Sequence, residues 1–179
     1  MRDRAVDVGG VDAGSVDANI DAARLVLAHL PDAYRLARAI LLDDHDAEDA
    51  VQEASLVAWR RVGSLRDPNR FGAWFDRILV NHCRDRLRKR RRAVPIAAPP
   101  VGFDAAAAPP ETGIDADVDR ALAGLAPDHR IVVVLRYWQD LPVAAIADRV
   151  GIPSGTVKSR LHHALRALRT SLETSHGRS

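Results

Sequence analysis

A proline-rich segment without cations divides this 179-residue chain into two parts. Residues 93–114, AVPIAAPPVGFDAAAAPPETGI, contain five prolines and seven alanines, and Pro-Pro occurs twice. Because paired prolines oppose helix and favour an extended chain, this segment is predicted to be a flexible but semi-stiff linker. The flanking parts then hold about 60–75 residues each, which is small but sufficient for a helical core.

Composition favours helical modules. Apolar residues make up 47% of the chain but aromatic residues only 4%, which suits Leu- and Ala-rich helices better than a rich sheet. No apolar run is long enough for a transmembrane helix, and the first 21 residues lack an apolar signal core. The single cysteine, Cys83, excludes an internal disulfide framework and a Cys-rich metal site. We therefore expect a cytoplasmic, all-α protein of two small helical domains. The predicted divisions are a disordered leader (1–18), a first domain (19–92), the linker (93–114), a second domain (115–173) and a tail (174–179).

Charge is distributed unevenly along the chain, although the formal net charge is only +2. Residues 1–60 contain 12 acids and 6 bases, whereas residues 61–92 contain 11 bases and 3 acids. An acidic block followed by a strongly basic one indicates two binding surfaces of opposite sign. A partner with a basic face and a nucleic acid are the candidates, and solvated helix faces are the alternative.

The string LPVAAIADRVGIPSGTVKSRLHHALRALR, Leu141–Arg169, is typical of a helix-turn-helix. Gly151 supplies the positive φ that the turn needs, and Ser154 is predicted to cap the longer second helix. Such a helix places its N-terminal half in the major groove of DNA, whereas the alternative is a plain helical hairpin in a core. The residues predicted to face inward are Val157, Leu161, Leu165 and Leu168, and those predicted to face DNA are Thr156, Lys158, Ser159, Arg160, His162 and His163.

A second string, DAEDAVQEASLVAWRR (Asp46–Arg61), predicts a helix with one acidic face. Asp46 is the predicted N-cap, and Val51, Ala54, Ala58 and Trp59 are predicted to face a core. Catalytic carboxylates are disfavoured because no histidine or metal-ligand spacing accompanies them. A docking face for a basic partner is the favoured interpretation, and a solvated face is the alternative. The candidate docking residues are Asp46, Glu48, Asp49, Gln52 and Glu53.

A third string, RFGAWFDRILVNHCRDRLRKRRR (Arg70–Arg92), combines aromatic residues with clustered bases. Aromatic residues followed by cations suit single-stranded or melted nucleic acid, whose bases stack while phosphates meet the cations. Phe71 and Phe75 are predicted to lie in the core, whereas Trp74 stays open between core and stacking platform. Asn81 is either a base-reading amide or an ordinary surface residue. The chain shows no recognisable catalytic site, metal site or cofactor motif, so we predict that it is not an enzyme and needs no cofactor.

Taken in order, these three strings resemble the bacterial RNA polymerase sigma factors of the sigma-70 family, most closely the small extracytoplasmic-function (ECF) group. That group keeps two domains, sigma-2 and sigma-4, joined by a flexible linker. The resemblance covers about residues 25–92 and 115–170. It implies a sigma-2-like helical bundle, a sigma-4-like helix-turn-helix domain and the partners core RNA polymerase (β′ clamp and β flap), promoter DNA and an anti-sigma factor.

The resemblance also implies roles by position. Asp46–Arg61 matches the segment that docks on the β′ clamp coiled coil, and Asp49, Gln52 and Glu53 match its most characteristic residues. Phe71–Arg92 matches the segment that melts and reads the −10 promoter element. The implied −10 contacts are Trp74, Asn81, Arg84, Arg88 and Lys89, and the implied −35 contacts are Thr156, Lys158, Ser159, Arg160, His162 and His163.

The linker is long enough for this role. Its 22 residues could extend to roughly 70 Å, whereas the two promoter elements lie about 55–60 Å apart, at ~17 base pairs of ~3.4 Å each. The main alternative is an autonomous helix-turn-helix regulator that binds duplex operator DNA as a dimer. It would explain residues 115–179 but leave the acidic and −10-like strings unused. A small nuclease is a third hypothesis, and it lacks a recognisable catalytic cluster.

Overall fold

The computed structural model describes the backbone of residues 13–93 and 116–176 and the side chains of residues 23–91 and 118–171. All regular elements in these ranges are helical, which confirms the predicted all-α class. The linker from residue 94 to 114, residues 1–12 of the leader and residues 177–179 of the tail lie outside the described residues. The helices are α1 (Ala13–Leu41), α2 (Asp44–Arg61), α3 (Phe71–Ala93), α4 (Ala116–Ala123), α5 (Pro127–Val133), α6 (Val143–Val150) and α7 (Ser154–His176).

Helices α1, α2 and α3 form the first module. Helix α1 begins at Ala13, inside the segment predicted to be a disordered leader, and it continues through Pro31 as one helix. Helix α2 presents alanines to its neighbours, which permits close packing, while α3 contributes the large side chains. The buried residues at the centre are Leu36, Ile40, Ala47, Ala50, Ala54, Ala58, Phe71, Phe75 and Leu79.

Aspartates mark two of the helix starts. The N-cap of α2 is Asp43, whose carboxylate accepts a hydrogen bond from the backbone N–H of Asp46 at 2.8 Å. The prediction of Asp46 as the N-cap was therefore wrong, because the helix begins one turn earlier. This hydrogen bond is the main reason that the pKa of Asp43 lies below its usual range. Asp67 caps the short 3₁₀ turn Pro68–Arg70 that leads into α3.

Helices α4 to α7 form the second module. Helix α5 passes into one turn of π-helix, Val134–Trp138, before α6 begins. Gly151 ends α6 with a φ of +70°, as the helix-turn-helix prediction required. Val157 of α7 is fully buried against this turn. The described residues include no helix with the length and hydropathy needed to cross a bilayer.

Two apolar side chains that were predicted to face a core are exposed instead. Trp59 is 49% exposed and Leu165 is 42% exposed. Helical spacing alone suggested burial, but each of these side chains keeps almost half of its surface exposed. Trp59 lies at the edge of a groove between α1 and α2 of the first module.

The lone cysteine yields a prediction about reactivity. Cys83 is fully buried in the first module, and desolvation raises the pKa of its thiol to about 12. We expect native protein to resist thiol-labelling reagents at pH 8, and unfolded protein to react at once. Because the folded pKa exceeds the unfolded value of about 8.5, the free energy of unfolding should fall as pH rises above that value. Rapid labelling of native protein would contradict the buried placement.

Candidate functional site

The five candidate docking residues of α2 divide between two faces of the helix. Asp46, Asp49 and Glu53 lie on the face that meets α3, where all three carboxylates contact one guanidinium, that of Arg86. The distances from Arg86 nitrogens are 3.0 Å to Asp46, 3.2 Å to Asp49 and 3.0 Å to Glu53. These three carboxylates form the acidic stripe of α2, and they are therefore paired with a cation inside the first module.

Neighbouring cations complete this network. Arg90, one turn beyond Arg86 on α3, contacts Asp43 at 3.1 Å and also pairs with Asp46. His82 Nδ1 lies 3.1 Å from the second carboxylate oxygen of Glu53. Burial by itself would lower the pKa of Arg86, but its three carboxylate neighbours raise it. These ion pairs fasten α2 to α3.

The other two docking candidates, Glu48 and Gln52, line a groove between α1 and α2. The groove has a volume of about 440 Å³, and Leu56 (50% exposed) and Trp59 (49% exposed) extend it along α2. Its walls are mainly apolar and come from both helices. The lining residues are Val26, Leu30, Tyr34, Glu48, Val51, Gln52, Ser55, Leu56 and Trp59.

Sequence reasoning missed the apolar part of this groove. Glu48, Gln52, Leu56 and Trp59 follow one another at steps of three or four residues, so they share one helix face. That spacing was the available signal, but Trp59 was assigned to the core. A large apolar patch that stays exposed on a folded module marks a site of protein interaction.

The −10 candidates on α3 differ in their exposure. Asn81, Arg88 and Lys89 are exposed, whereas Arg84 is half-buried and donates a hydrogen bond to the carbonyl of Val150 in the second module at 2.9 Å. Trp74 is also half-buried and packs against Phe71, with ring centroids 5.8 Å apart. This contact indicates that much of the Trp74 indole packs in the core of the first module.

The −35 candidates lie on α7, the second helix of the helix-turn-helix. Lys158, Ser159, His162 and His163 are exposed, and Thr156 is half-buried. Arg160 points elsewhere, because its guanidinium pairs with Asp128 of α5 at 2.7 Å and is only 21% exposed. The exposed set supplies a cation and hydrogen-bonding groups on one helix, which suits contacts with DNA.

Basic residues from both modules line one cleft. Arg84, Arg88 and Arg91 of α3 line one side, and His129 of α5 and Arg160 of α7 line the other. Desolvation, followed by the nearby charges of His163 and Arg160, lowers the pKa of His129. Candidate −10 and −35 residues thus meet between the modules.

Comparisons with known proteins agree with this two-part organisation. The family description Sigma-70 region 2 matches residues 25–93, and Sigma-70, region 4 matches residues 115–168. RNA polymerase sigma factor SigV of Bacillus subtilis is 33% identical over 80% of this chain and 86% of its own length. The chain belongs to the sigma-70 family of bacterial RNA polymerase sigma factors. Its place in the ECF group is supported by ECF RNA polymerase sigma factor SigL of Mycobacterium tuberculosis, which is 38% identical over 78% of this chain and 82% of its own length.

Solved structures support the same assignment. The sigma factor RpoE of Bartonella quintana, determined in complex with the anti-sigma factor NepR, matches with a TM-score of 0.67 and 26% identity. The match covers 86% of this chain and 97% of that one. This sigma factor therefore directs promoter-specific transcription. Matches to both regions in their family order do not favour the autonomous regulator.

Proposed function

We propose that this sigma factor binds core RNA polymerase through the α1–α2 groove, with the β′ clamp coiled coil as occupant. The observation that carries the proposal is an apolar groove whose rim includes Glu48 and Gln52 and whose walls include the exposed side chains of Leu56 and Trp59. Aromatic side chains in a groove are common binding hot spots, and an acid at the rim favours a basic partner. Asp46, Asp49 and Glu53 then support the groove from behind by fixing α2 on α3.

We assign −10 recognition to the exposed face of α3 and −35 recognition to α7. On α3, Asn81 can read an unpaired base while Arg84, Arg88 and Lys89 bind phosphates. On α7, the exposed residues Lys158, Ser159, His162 and His163 would enter the major groove. The β flap is the proposed contact of the second module, and an anti-sigma factor is the proposed inhibitor. The proposed location is the cytoplasm, where the polymerase acts, and the proposed chemistry includes no covalent catalysis by this chain.

Run-off transcription tests the proposal. Purified bacterial core polymerase would transcribe a promoter library with and without this protein. We expect transcripts that require the protein, and their aligned start regions should share −35 and −10 elements. A variant with Glu48→Lys should yield fewer transcripts because it reverses the charge at the groove rim.

DNA binding by the same protein preparation distinguishes a sigma factor from an autonomous helix-turn-helix regulator. A sigma factor should bind free duplex DNA weakly until it joins the polymerase, whereas a dimeric regulator should bind it tightly alone. Absence of protein-dependent transcripts, together with tight binding of the free protein to a duplex, would overturn the proposal.

A further inference from the structure

The cleft between the modules has an excess of positive charge. Its volume is about 620 Å³, which is within the range of small-ligand pockets. Its ionisable lining consists of four arginines, one histidine and one aspartate: Arg84, Arg88, Arg91, Arg160, His129 and Asp128. With His129 neutral, four positive charges stand against one negative charge, so the lining carries a net charge of +3.

The carboxylate in this lining does not balance the arginines. Asp128 is shared between two of them, because its Oδ2 lies 2.7 Å from Arg160 Nη2 and its Oδ1 lies 4.0 Å from Arg84 Nε. Arg88 pairs with Asp85, which lies outside the cleft, and both of these side chains are well exposed. Guanidinium groups on both sides of the cleft therefore keep donors for a further anion.

Two groups of the lining show the shortage of negative charge. Desolvation, followed by the charges of His163 and Arg160, lowers the pKa of His129. The Asp128 charge opposes this shift without cancelling it. Arg160 Nη1 is buried and has no hydrogen-bond partner among the described residues, so Asp128 satisfies only part of that guanidinium. The potential in the cleft is therefore positive, which favours an anion.

The size of the cleft favours a small ligand with closely spaced negative charges. A compact cavity of 620 Å³ is about 8.5 Å across, whereas one major groove of B-DNA is ~12 Å wide, so the cleft cannot enclose a duplex. Guanidinium groups bind phosphate oxygens with two parallel hydrogen bonds. A short chain of linked phosphates places several negative charges within a few ångströms, which matches four guanidinium groups around one cavity.

We propose that the cleft between the modules is a binding site for a short polyphosphate chain, held by Arg88 and Arg91 of α3 on one side and Arg160 of α7 on the other. Free nucleoside triphosphates and inorganic polyphosphate share this chemistry. A bound chain would also occupy Arg84 and Arg88, which are then unavailable to promoter phosphates. That consequence rests on the proposed function, whereas binding of the ligand does not.

Isothermal titration calorimetry on the full chain tests the site, with inorganic triphosphate and ATP as probes in buffer without Mg²⁺. We expect saturable binding with a dissociation constant of about 0.1 mM or tighter, because several charge-assisted hydrogen bonds form at once. ATP that binds more than about threefold more tightly than inorganic triphosphate would assign free nucleotides as the source. Equal affinities would assign the phosphate chain alone, and both results support the site.

A pair of variants at one position isolates the charge of the cleft. Ala126 is exposed, lines the cleft and is the N-cap residue of α5. Aspartate and asparagine are both favoured at an N-cap, so both variants should stay folded. Ala126→Asp adds a negative charge to the cleft, whereas Ala126→Asn adds nearly the same shape without the charge. Ala126→Asp should bind inorganic triphosphate at least about tenfold more weakly than Ala126→Asn.

A second pair of variants removes one cation inside or outside the cleft. Arg91→Ala should weaken binding at least about fivefold, because Arg91 lines the cleft. Arg77→Ala makes the same change at an exposed arginine of α3 that does not line the cleft, and its affinity should stay within about twofold of wild type. Circular dichroism would verify that the helices persist in all four variants.

An NMR titration of the histidine rings gives a readout inside the cleft. A bound anion should raise the pKa of His129, because it offsets the charges of His163 and Arg160 that lower this pKa in the free protein. An unchanged His129 titration at saturating inorganic triphosphate would place the ligand elsewhere and overturn the proposal.

Three calorimetric results would also overturn the proposal. One is a dissociation constant above about 1 mM for both probes. The others are equal affinities of Ala126→Asp and Ala126→Asn, and equal losses in Arg91→Ala and Arg77→Ala, since either would mean nonspecific attraction to a basic surface. None of these results affects the proposed function, because promoter-dependent transcription with core polymerase is measured separately.

Discussion

Trp59→Lys should weaken binding to core RNA polymerase by at least about 30-fold while leaving the free protein folded. Trp59 is half exposed at the edge of the α1–α2 groove, so about half of its surface is free to contact a partner. If the groove receives an apolar helix of the polymerase, the indole is a binding hot spot, and its loss costs about 2 kcal/mol or more. Lysine near the C-terminal end of α2 is compatible with the helix dipole, which protects the fold.

Fluorescence anisotropy of labelled protein titrated with core polymerase would measure this effect. Leu27→Lys is the matched control, because Leu27 is another exposed apolar residue (63%) of the first module but does not line the groove. We expect its affinity to stay within about threefold of wild type. Equal losses in the two variants, or unchanged binding of Trp59→Lys, would show that the groove is not the polymerase site.

The fold was largely predictable from the sequence because its signals are local. The signals are apolar residues at helical spacing, the proline-rich segment and Gly151. Each of them depends on only a few neighbouring residues. The start of α2 was misplaced because three aspartates, Asp43, Asp44 and Asp46, are all reasonable caps. The hydrogen bond from the N–H of Asp46 to the side chain of Asp43 and the extended backbone of Asp43 distinguish them.

The candidate site was less predictable because exposure depends on what a helix face meets. Asp46, Asp49 and Glu53 form an acidic stripe in sequence, and nothing local reveals that Arg86 lies against it. Trp59 was misjudged in the opposite direction. It was predicted to be buried, because a large aromatic residue at helical spacing usually lies in a core. The contact between the modules involves residues such as Asp76 and Arg149, 73 positions apart, for which a single sequence offers no pairing signal.

Removal of Arg86, the cation that the acidic stripe shares, should have a large effect on the stability of the first module. Arg86→Ala should lower the free energy of unfolding by about 2–3 kcal/mol, since it leaves three carboxylates of α2 facing each other without their shared partner. Asp49 and Glu53 are 40% and 52% exposed, so solvent moderates the loss. Urea unfolding followed by circular dichroism would measure it, and 1 M salt should reduce the difference from wild type by screening the repulsion.

Arg88→Ala provides the comparison on the same helix. Arg88 makes one exposed ion pair with Asp85, so its loss should cost less than about 0.5 kcal/mol and respond little to salt. Equal costs for the two substitutions would mean that solvent satisfies the carboxylates of Asp46, Asp49 and Glu53. Those carboxylates would then be free to bind a basic partner, and the acidic stripe would replace the groove as the better candidate for the polymerase contact. A large, salt-sensitive loss confined to Arg86→Ala instead assigns the stripe to the stability of the module and leaves the groove for docking.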